Sequence, residues 1–409
     1  MPEAVIVATA RTPIGRANKG SLVGLRADDL AATVVAAALA KVPELAGIPI
    51  DDLMLGCGLP GGEQGYNMAR VVALLLGRDQ LPGTTVTRYC SSSLQTTRMA
   101  MHAIRASEGD VFVSAGVETV SSFGRGTSDN LPDTRNPRFA EASARAAEQA
   151  TIEVSQDSGW TDPRVLGELP DAYISMGLTA ENVAALRGVS RLAQDEFAVR
   201  SQNLAEKAAS NGFWAREITP VTRPDGTVAD TDDSPRAGTT LAAVSALEPV
   251  FRPGGTVTAG NACPLNDGAA ALVVMSDTRA RELGITPLAR IVSTGVSALS
   301  PEIMGLGPVE ASRQALARAA MSIGDIDLVE INEAFAAQVI PSYLDLGVDL
   351  DRLNVNGGSI AVGHPFGMTG ARITTTLLNS LDWHDQSIGL ETMCVGGGQG
   401  MAMILERLR

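Results

Sequence analysis

The sequence predicts an α/β protein built from two copies of one strand-and-helix unit, with a long insertion in the first copy. Three observations carry that prediction. Short apolar runs alternate with longer helical patterns along the 409 residues. Three pairs of segments repeat at nearly constant offset. The stretch 121–247 has no counterpart in the second half.

The elements follow in order. Ala4–Ala8 is an apolar run of strand length. Asp29–Val42 is an Ala-rich helix, with Asp28 and Asp29 at its start and Lys41 near its end, the charge order a helix dipole favours. Its apolar stretch, Leu30 to Ala40, is too short to span a bilayer. Leu53–Leu55, Val111–Ala115 and Ala270–Met275 read as further buried strands, and Leu94–Ala106, Gln194–Ser210 and Ala371–Leu381 as helices. Strands alternating with helices predict covered, mostly parallel sheets.

The repeat is read from three matches. Asp52-Leu-Met-Leu-Gly-Cys57 resembles Asp327-Leu-Val-Glu-Ile-Asn332 at an offset of 275. Cys90 matches His364 at 274, and Val113-Ser-Ala-Gly-Val-Glu118 matches Cys394-Val-Gly-Gly-Gly-Gln399 at 281. Each match is weak alone; the common spacing makes the case for one duplication. The expected division is 1–120 plus 248–276 for the N-terminal half, 121–247 for an inserted loop domain, and 277–409 for the C-terminal half.

Composition excludes several functions. With 32 basic and 46 acidic residues the net charge is −14, which argues against a nucleic-acid partner. A phosphate-bearing ligand would need a local basic patch or helix N-termini. Four cysteines and three histidines, with no C-x-x-C and no H-x-x-x-H, argue against a metal site or a disulfide framework. The Met-Pro-Glu start lacks a basic leader, so the expected location is cytoplasmic, without membrane insertion. Surface scaling predicts roughly 15,000 Å² of folded accessible surface.

Four segments carry candidate chemistry. In Arg88-Tyr-Cys90-Ser-Ser-Ser93, a cysteine opens a helix, where the dipole and free N–H groups favour a thiolate. In Gly357–Gly370, His364 stands among glycines and a proline before another helix. Cys394-Val-Gly396-Gly-Gly-Gln-Gly400 follows an apolar run, and its exposed N–H groups suit an oxyanion. Asn332-Glu-Ala-Phe-Ala336 opens an apolar helix. Each has a plainer alternative: a buried inert thiol, a turn-capping histidine, a glycine turn that binds nothing, a helix cap.

Taken together, these segments resemble the thiolase family. The resemblance runs from Ile6-Val-Ala-Thr-Ala-Arg-Thr-Pro-Ile-Gly15 to Gly400 and includes Asn67–Arg70, Met176–Asn182 and Gly260–Gly268. It implies a duplicated αβαβα layered fold with an inserted loop domain. It implies an acyltransferase that moves acyl groups between coenzyme A and an acetyl-CoA carbanion. Cys90 would be the acylated nucleophile, and His364 its activating base. Cys394 would handle the α-proton. Asn332 would hold a water that completes the enolate site with His364. The N–H groups of Cys90 and Gly396 would form a second oxyanion hole. The insertion would hold coenzyme A, with Arg236 near the nucleotide and Met176 and Phe251 along the pantetheine. Cys263 and Phe335 complete the substrate-side set. No permanent cofactor or metal is implied; coenzyme A and acyl-CoA are substrates, and the assembly would be a homodimer or homotetramer.

Three departures from the family pattern stand out. Ser93 replaces a usual glycine. Ser175 stands where acetoacetyl-CoA-specific members usually carry histidine. Cys263-Pro264 replaces Ser-Gly. The last two tilt the expectation towards degradative cleavage of 3-oxoacyl-CoA, as in fatty-acid β-oxidation. The alternative is an acetyltransferase that makes acetoacetyl-CoA.

Overall fold

The computed structural model describes residues 1–125, 135–153 and 159–408. Its strands, in chain order, are β1 (Ala4–Arg11), β2 (Gly15–Arg16), β3 (Asp52–Cys57), β4 (Gly83–Val86), β5 (Val111–Thr119), β6 (Val221–Thr222), β7 (Val228–Ala229), β8 (Asn266–Ser276), β9 (Ala289–Ala298), β10 (Leu328–Ile331), β11 (Ile388–Val395) and β12 (Gln399–Arg407). The helices are α1 (Ala27–Ala40), α2 (Met68–Leu75), α3 (Ser92–Arg105), α4 (Ala140–Gln149), α5 (Met176–Arg187), α6 (Arg191–Ser210), α7 (Leu241–Ser245), α8 (Asp277–Glu282), α9 (Gly307–Ala319), α10 (Ala336–Leu346), α11 (Ser359–Val362) and α12 (Thr369–Trp383).

The sheet makes the duplication visible. Its order is β10-β11-β12-β9-β1-β8-β5-β3-β4. Read outward from the β9–β1 seam, β9-β12-β11-β10 mirrors β1-β8-β5-β3. The seam itself is short, with Val5 opposite Arg290 and Ile6 opposite Ala289. The N-terminal half adds β4 beside β3; at the matching place the C-terminal half has only a bridge between Val329 and Leu353.

The expectation of mostly parallel sheets is corrected. Only β3–β4, β3–β5 and β10–β11 are parallel; the other pairings of this sheet among the described residues are antiparallel. The physical reason is that strands buried on both faces read as unbroken apolar runs whichever way they point. The turn Gly396–Gly398 makes β11 and β12 an antiparallel hairpin.

Alternate residues of each strand serve different layers. Ile6, Leu272 and Val274 face a central layer with Leu94 of α3 and Ile373 and Leu377 of α12. Met401, Met403 and Leu405 of the other half reach the same layer. Val5, Val7, Val273 and Met275 instead pack outward against Leu30 and Val34 of α1. The outer C-terminal layer joins Ile331 and Ile404 to α9 and α10. The result is α/β/α/β/α, with α3 and α12 in the middle. These two helices cross where Gly370 meets Leu94; a Cβ at Gly370 would overlap the Leu94 backbone nitrogen. Total accessible surface is 16008 Å², near the roughly 15,000 Å² expected from chain length.

The insertion is fastened to β1 by charge. The buried Arg11 guanidinium donates to both Asp232 oxygens, at 2.8 and 3.0 Å, and to Glu217 at 3.0 Å. Removing one partner of such a buried network typically costs about 3–5 kcal/mol.

Candidate active site

The site forms where both halves present the starts of their central helices and the ends of their strands. Cys90 lies in a single 3-10 turn, Tyr89–Ser91, directly before α3. Ser92 shapes this turn: its Oγ accepts from Arg88 N–H at 2.9 Å and donates to the Tyr89 carbonyl at 2.6 Å. Tyr89 is held at φ 44°, a left-handed conformation that bulky residues rarely adopt. Ser93 does more than add bulk. Its Oγ accepts from Ala371 N–H at 2.8 Å, tying α3 to α12.

His364 reaches the site through Gly363, at φ 114°. A Cβ at Gly363 would lie 2.6 Å from Ile14 and 2.7 Å from Asn266. The Asn266 amide oxygen accepts the His364 N–H at 2.9 Å. The ring's tautomer follows from its neighbours. Thr369 Oγ1 donates to the Pro365 carbonyl at 2.7 Å, so it accepts from His364 Nδ1–H, also at 2.7 Å. Nε2 is then the bare acceptor, and Asn332 Nδ2 donates to it at 3.3 Å. The Asn332 amide is oriented in turn by Ser359 Oγ, which donates to Oδ1 at 2.6 Å while accepting from Arg372 at 2.7 Å. Glu333 fixes the same corner, accepting from Ser201 at 2.6 Å, Asn354 at 2.7 Å and Ile360 N–H at 3.1 Å.

Burial sets the protonation states. The Cys90 thiol is pushed up to about 12, chiefly by burial; the Gly396 N–H bond to its sulfur opposes this and the Glu118 charge adds to it. The helix start therefore does not by itself yield a thiolate. Burial, with help from Arg372, lowers His364 to about 3, so the ring is neutral at pH 7 and able to accept a proton. Burial also raises the Cys394 thiol well above its ordinary value, and the neighbouring Cys90 and Cys263 thiols reinforce this. Cys263 is raised by burial and by Cys90.

A cavity of about 420 Å³ opens at Cys90 and Gly396. Ser175 and Met176 line it from the insertion, and Gly58, Leu59 and Phe366 from the opposite side. Phe251 and Phe335 pack edge to face behind Met176, with ring centroids 6.1 Å apart. Gly177 has no Cβ because Phe251 fills that space. Cys263 is pinned to the Asn332 loop by its N–H, which donates to the Ala334 carbonyl at 3.0 Å. Arg236 is exposed, does not line this cavity and makes no ion pair among the described residues. Among those residues no group of three or more His, Cys, Asp or Glu is placed to hold a metal ion, and no helix is long and apolar enough to cross a membrane.

Sequence reasoning missed Thr369, Ser359 and Glu118. Thr369 was within reach of it, since it lies five residues after His364 and opens α12. Ser359 and Glu118 act across 27 or more residues of chain, a separation that carries no local signal.

A duplicated five-layer fold with two site thiols, a neutral histidine and a glycine turn at its junction defines an acyl-transfer scaffold. The chain belongs to the thiolase family: residues 4–278 match the thiolase N-terminal domain and residues 285–407 the thiolase C-terminal domain. It is therefore a thiolase-family acyltransferase, with coenzyme A thioesters as substrates. It is 42% identical over 417 residues to a 3-ketoacyl-CoA thiolase of Aeromonas salmonicida, covering 100% of both chains. It is 43% identical to a 3-oxoadipyl-CoA/3-oxo-5,6-dehydrosuberyl-CoA thiolase of Escherichia coli, again covering 100% of both. The dimeric peroxisomal thiolase of Saccharomyces cerevisiae superimposes with a TM-score of 0.87 at 32% identity, covering 100% of this chain and 98% of that one.

Proposed function

We propose that this protein catalyses reversible, coenzyme A-dependent cleavage of 3-oxoacyl-CoA to acetyl-CoA and a shortened acyl-CoA. One observation carries the reading: Cys90 and Phe366 line one cavity, and the His364 ring, with Nδ1 tied to Thr369 and Nε2 left to accept, packs on Phe366 with ring centroids 5.3 Å apart. His364 takes the Cys90 proton. The sulfur attacks the 3-oxo carbon, and the bond between C2 and C3 breaks. Cys394 delivers a proton to C2 of the leaving acetyl-CoA enolate, whose oxygen is held by His364 and the water that Asn332 positions. The coenzyme A thiol then gives its proton to the Cys394 thiolate and attacks the acyl carbon, and the Cys90 sulfur leaves and takes back its proton from His364, with the tetrahedral oxygen held by the N–H groups of Cys90 and Gly396. Met176, Phe251, Phe335 and Cys263 contact the substrate side, and Arg236 the nucleotide.

Ser175 in the cavity wall favours the degradative direction over acetoacetyl-CoA synthesis. The test is steady-state thiolysis of C4, C8 and bulkier 3-oxoacyl-CoAs. Turnover of the longer substrates supports this reading, and a strong C4 preference supports the acetyltransferase alternative. Acetyl-CoA should leave an acetyl group on the Cys90 peptide; its absence would overturn thiolase chemistry here.

The reading extends to organisation. The proposed division is 1–120 plus 248–276, 121–247 and 277–409, and the mirrored strand order supports it. A cytoplasmic homodimer is the proposed assembly, with a tetramer as the other outcome. Edge strand β4 lies beside α2, where Tyr66, Leu74 and Leu75 are 87%, 50% and 52% exposed. An open strand edge beside exposed apolar side chains favours a partner copy. Light scattering on the purified protein tests it.

A further inference from the structure

Glu118 is wholly buried at the end of β5, and no cation pairs with it among the described residues. Its surroundings consist of donors. Oε2 accepts from Gly58 N–H at 2.7 Å and from Gly367 N–H at 2.8 Å. Oε1 accepts from Gln64 Nε2 at 3.0 Å and Leu59 N–H at 3.2 Å, with the Cys57 thiol 3.8 Å away. No acceptor faces either oxygen, so a carboxylic acid proton would have no partner. Burial pushes the Glu118 carboxyl up, and the N–H groups of Gly367 and Gly58, the Gln64 amide and Leu59 N–H oppose that rise by favouring the anion.

The location gives this charge its meaning. Gly58 and Leu59 belong to the N-terminal half, whereas Gly367 belongs to the C-terminal loop that carries His364. Gly58, Leu59 and Phe366 are also walls of the cavity at Cys90. The fit leaves no slack: a Cβ at Gly58 would lie 2.7 Å from both Glu118 Oε2 and Phe366 Cβ. In the mirrored sheet the counterpart of Glu118 is Cys394, a neutral thiol: Glu118 of β5 stands opposite Gly268 of β8, as Cys394 of β11 stands opposite Gly400 of β12. Only the half that carries the nucleophile has an anion at this place.

We propose that Glu118 is a positioning residue of the reaction: its carboxylate locks the His364 loop of one half to the acyl-cavity wall of the other, beside Cys90. The proposal rests on the thiolase reading above. Burial is the main force that keeps the Cys90 sulfur protonated until a base takes its proton, and the Glu118 charge adds to it. The other ionisable groups around this position are Cys394 from β11, Cys263 from the loop before β8, Cys57 from β3, the proposed base His364, and Tyr89, Arg135 and Tyr173 in the cavity wall. Burial keeps all three of these neighbouring thiols and the imidazole neutral.

The test uses Glu118→Gln and Glu118→Asp in the whole protein, with two readouts: thiolysis, and the pH profile of Cys90 alkylation by iodoacetamide. Glu118→Gln turns an amide NH₂ towards N–H donors. Its kcat/KM should fall about 100-fold, the scale of a 1 Å misplacement. Its alkylation midpoint should move down by about one pH unit, because a nearby anion is gone. Glu118→Asp keeps the charge but shortens the reach, so activity should fall while the midpoint stays. A Glu118→Gln protein within threefold of wild-type kcat/KM would overturn the proposal. So would lost activity with an unmoved midpoint, which marks a merely structural role. If Glu118→Gln does not fold, Glu118→Asp decides through kcat/KM alone, with retention within threefold overturning the proposal. Absence of any acyl-Cys90 in the wild type would instead defeat the thiolase reading.

Discussion

The two halves of this molecule share a strand order and a central helix, yet they hold opposite chemistry at equivalent places. In the N-terminal half a thiol stands two residues before α3; in the C-terminal half an imidazole stands five residues before α12. The N-terminal β5 ends in an anion, Glu118, while the C-terminal β11 ends in Cys394 and a glycine turn. The difference teaches that duplication supplies the frame and the junction supplies the reaction. The proposed acid, base and nucleophile stand at one junction because both halves pack on one α3–α12 layer.

The comparison breaks most completely at the proposed nucleophile. Cys90→Ala should lower thiolysis by at least about 10⁴-fold, since no second group forms the acyl-enzyme. Peptide mass analysis after incubation with acetyl-CoA should then find no acetylated site. His364→Ala should cost about 10³-fold in both acylation and cleavage, within the range for a general base. Rapid-quench acylation checks this, and an intact acylation rate would remove His364 from the base's role. Cys394→Ala should separate the halves: acetyl transfer from acetyl-CoA to Cys90 persists, while carbon–carbon chemistry falls by about 10²–10³-fold. Parallel loss of both steps would count against two separate thiol roles.

Smaller changes sharpen the contrast. Thr369→Val removes the acceptor for Nδ1–H and frees the tautomer, and kcat should drop about tenfold with KM little changed. Stability should also register the buried imidazole. Its folded pKa lies near 3, below its ordinary 6.5, so the unfolded chain binds the extra proton first as pH falls. Its contribution is fully present above about 6.5 and is lost progressively down to about 3, by up to about 1.4 kcal/mol per pH unit. Denaturant titrations of wild type and His364→Asn over that window should diverge accordingly; parallel curves would place the proton elsewhere.

Much of this was legible in the chain. The apolar runs at Ala4–Ala8, Val111–Ala115 and Ala270–Met275 all lie within strands, and Leu94–Ala106 and Ala371–Leu381 correspond to the two central helices. Cys90, His364 and the glycine-turn thiol Cys394 stood out because few residue types do such chemistry and each sits beside a helix start or glycines. Strand direction was not legible, because side-chain alternation and burial are the same for a strand and its reverse. Protonation was not legible either. The helix start at Cys90 suggests a thiolate, but the surrounding protein excludes water and reverses the direction.

By itself the sequence determined the periodicity, the duplication and the reactive side chains, all local or repeating properties of the chain. The tertiary structure alone decided which of them meet, with which proton. The Nδ1–H tautomer depends on a hydroxyl that is already donating to Pro365. The anion at Glu118 depends on N–H groups from loops as far as 249 residues away. Hydrogen bonding and desolvation act through space, and only the folded chain brings those groups within their range.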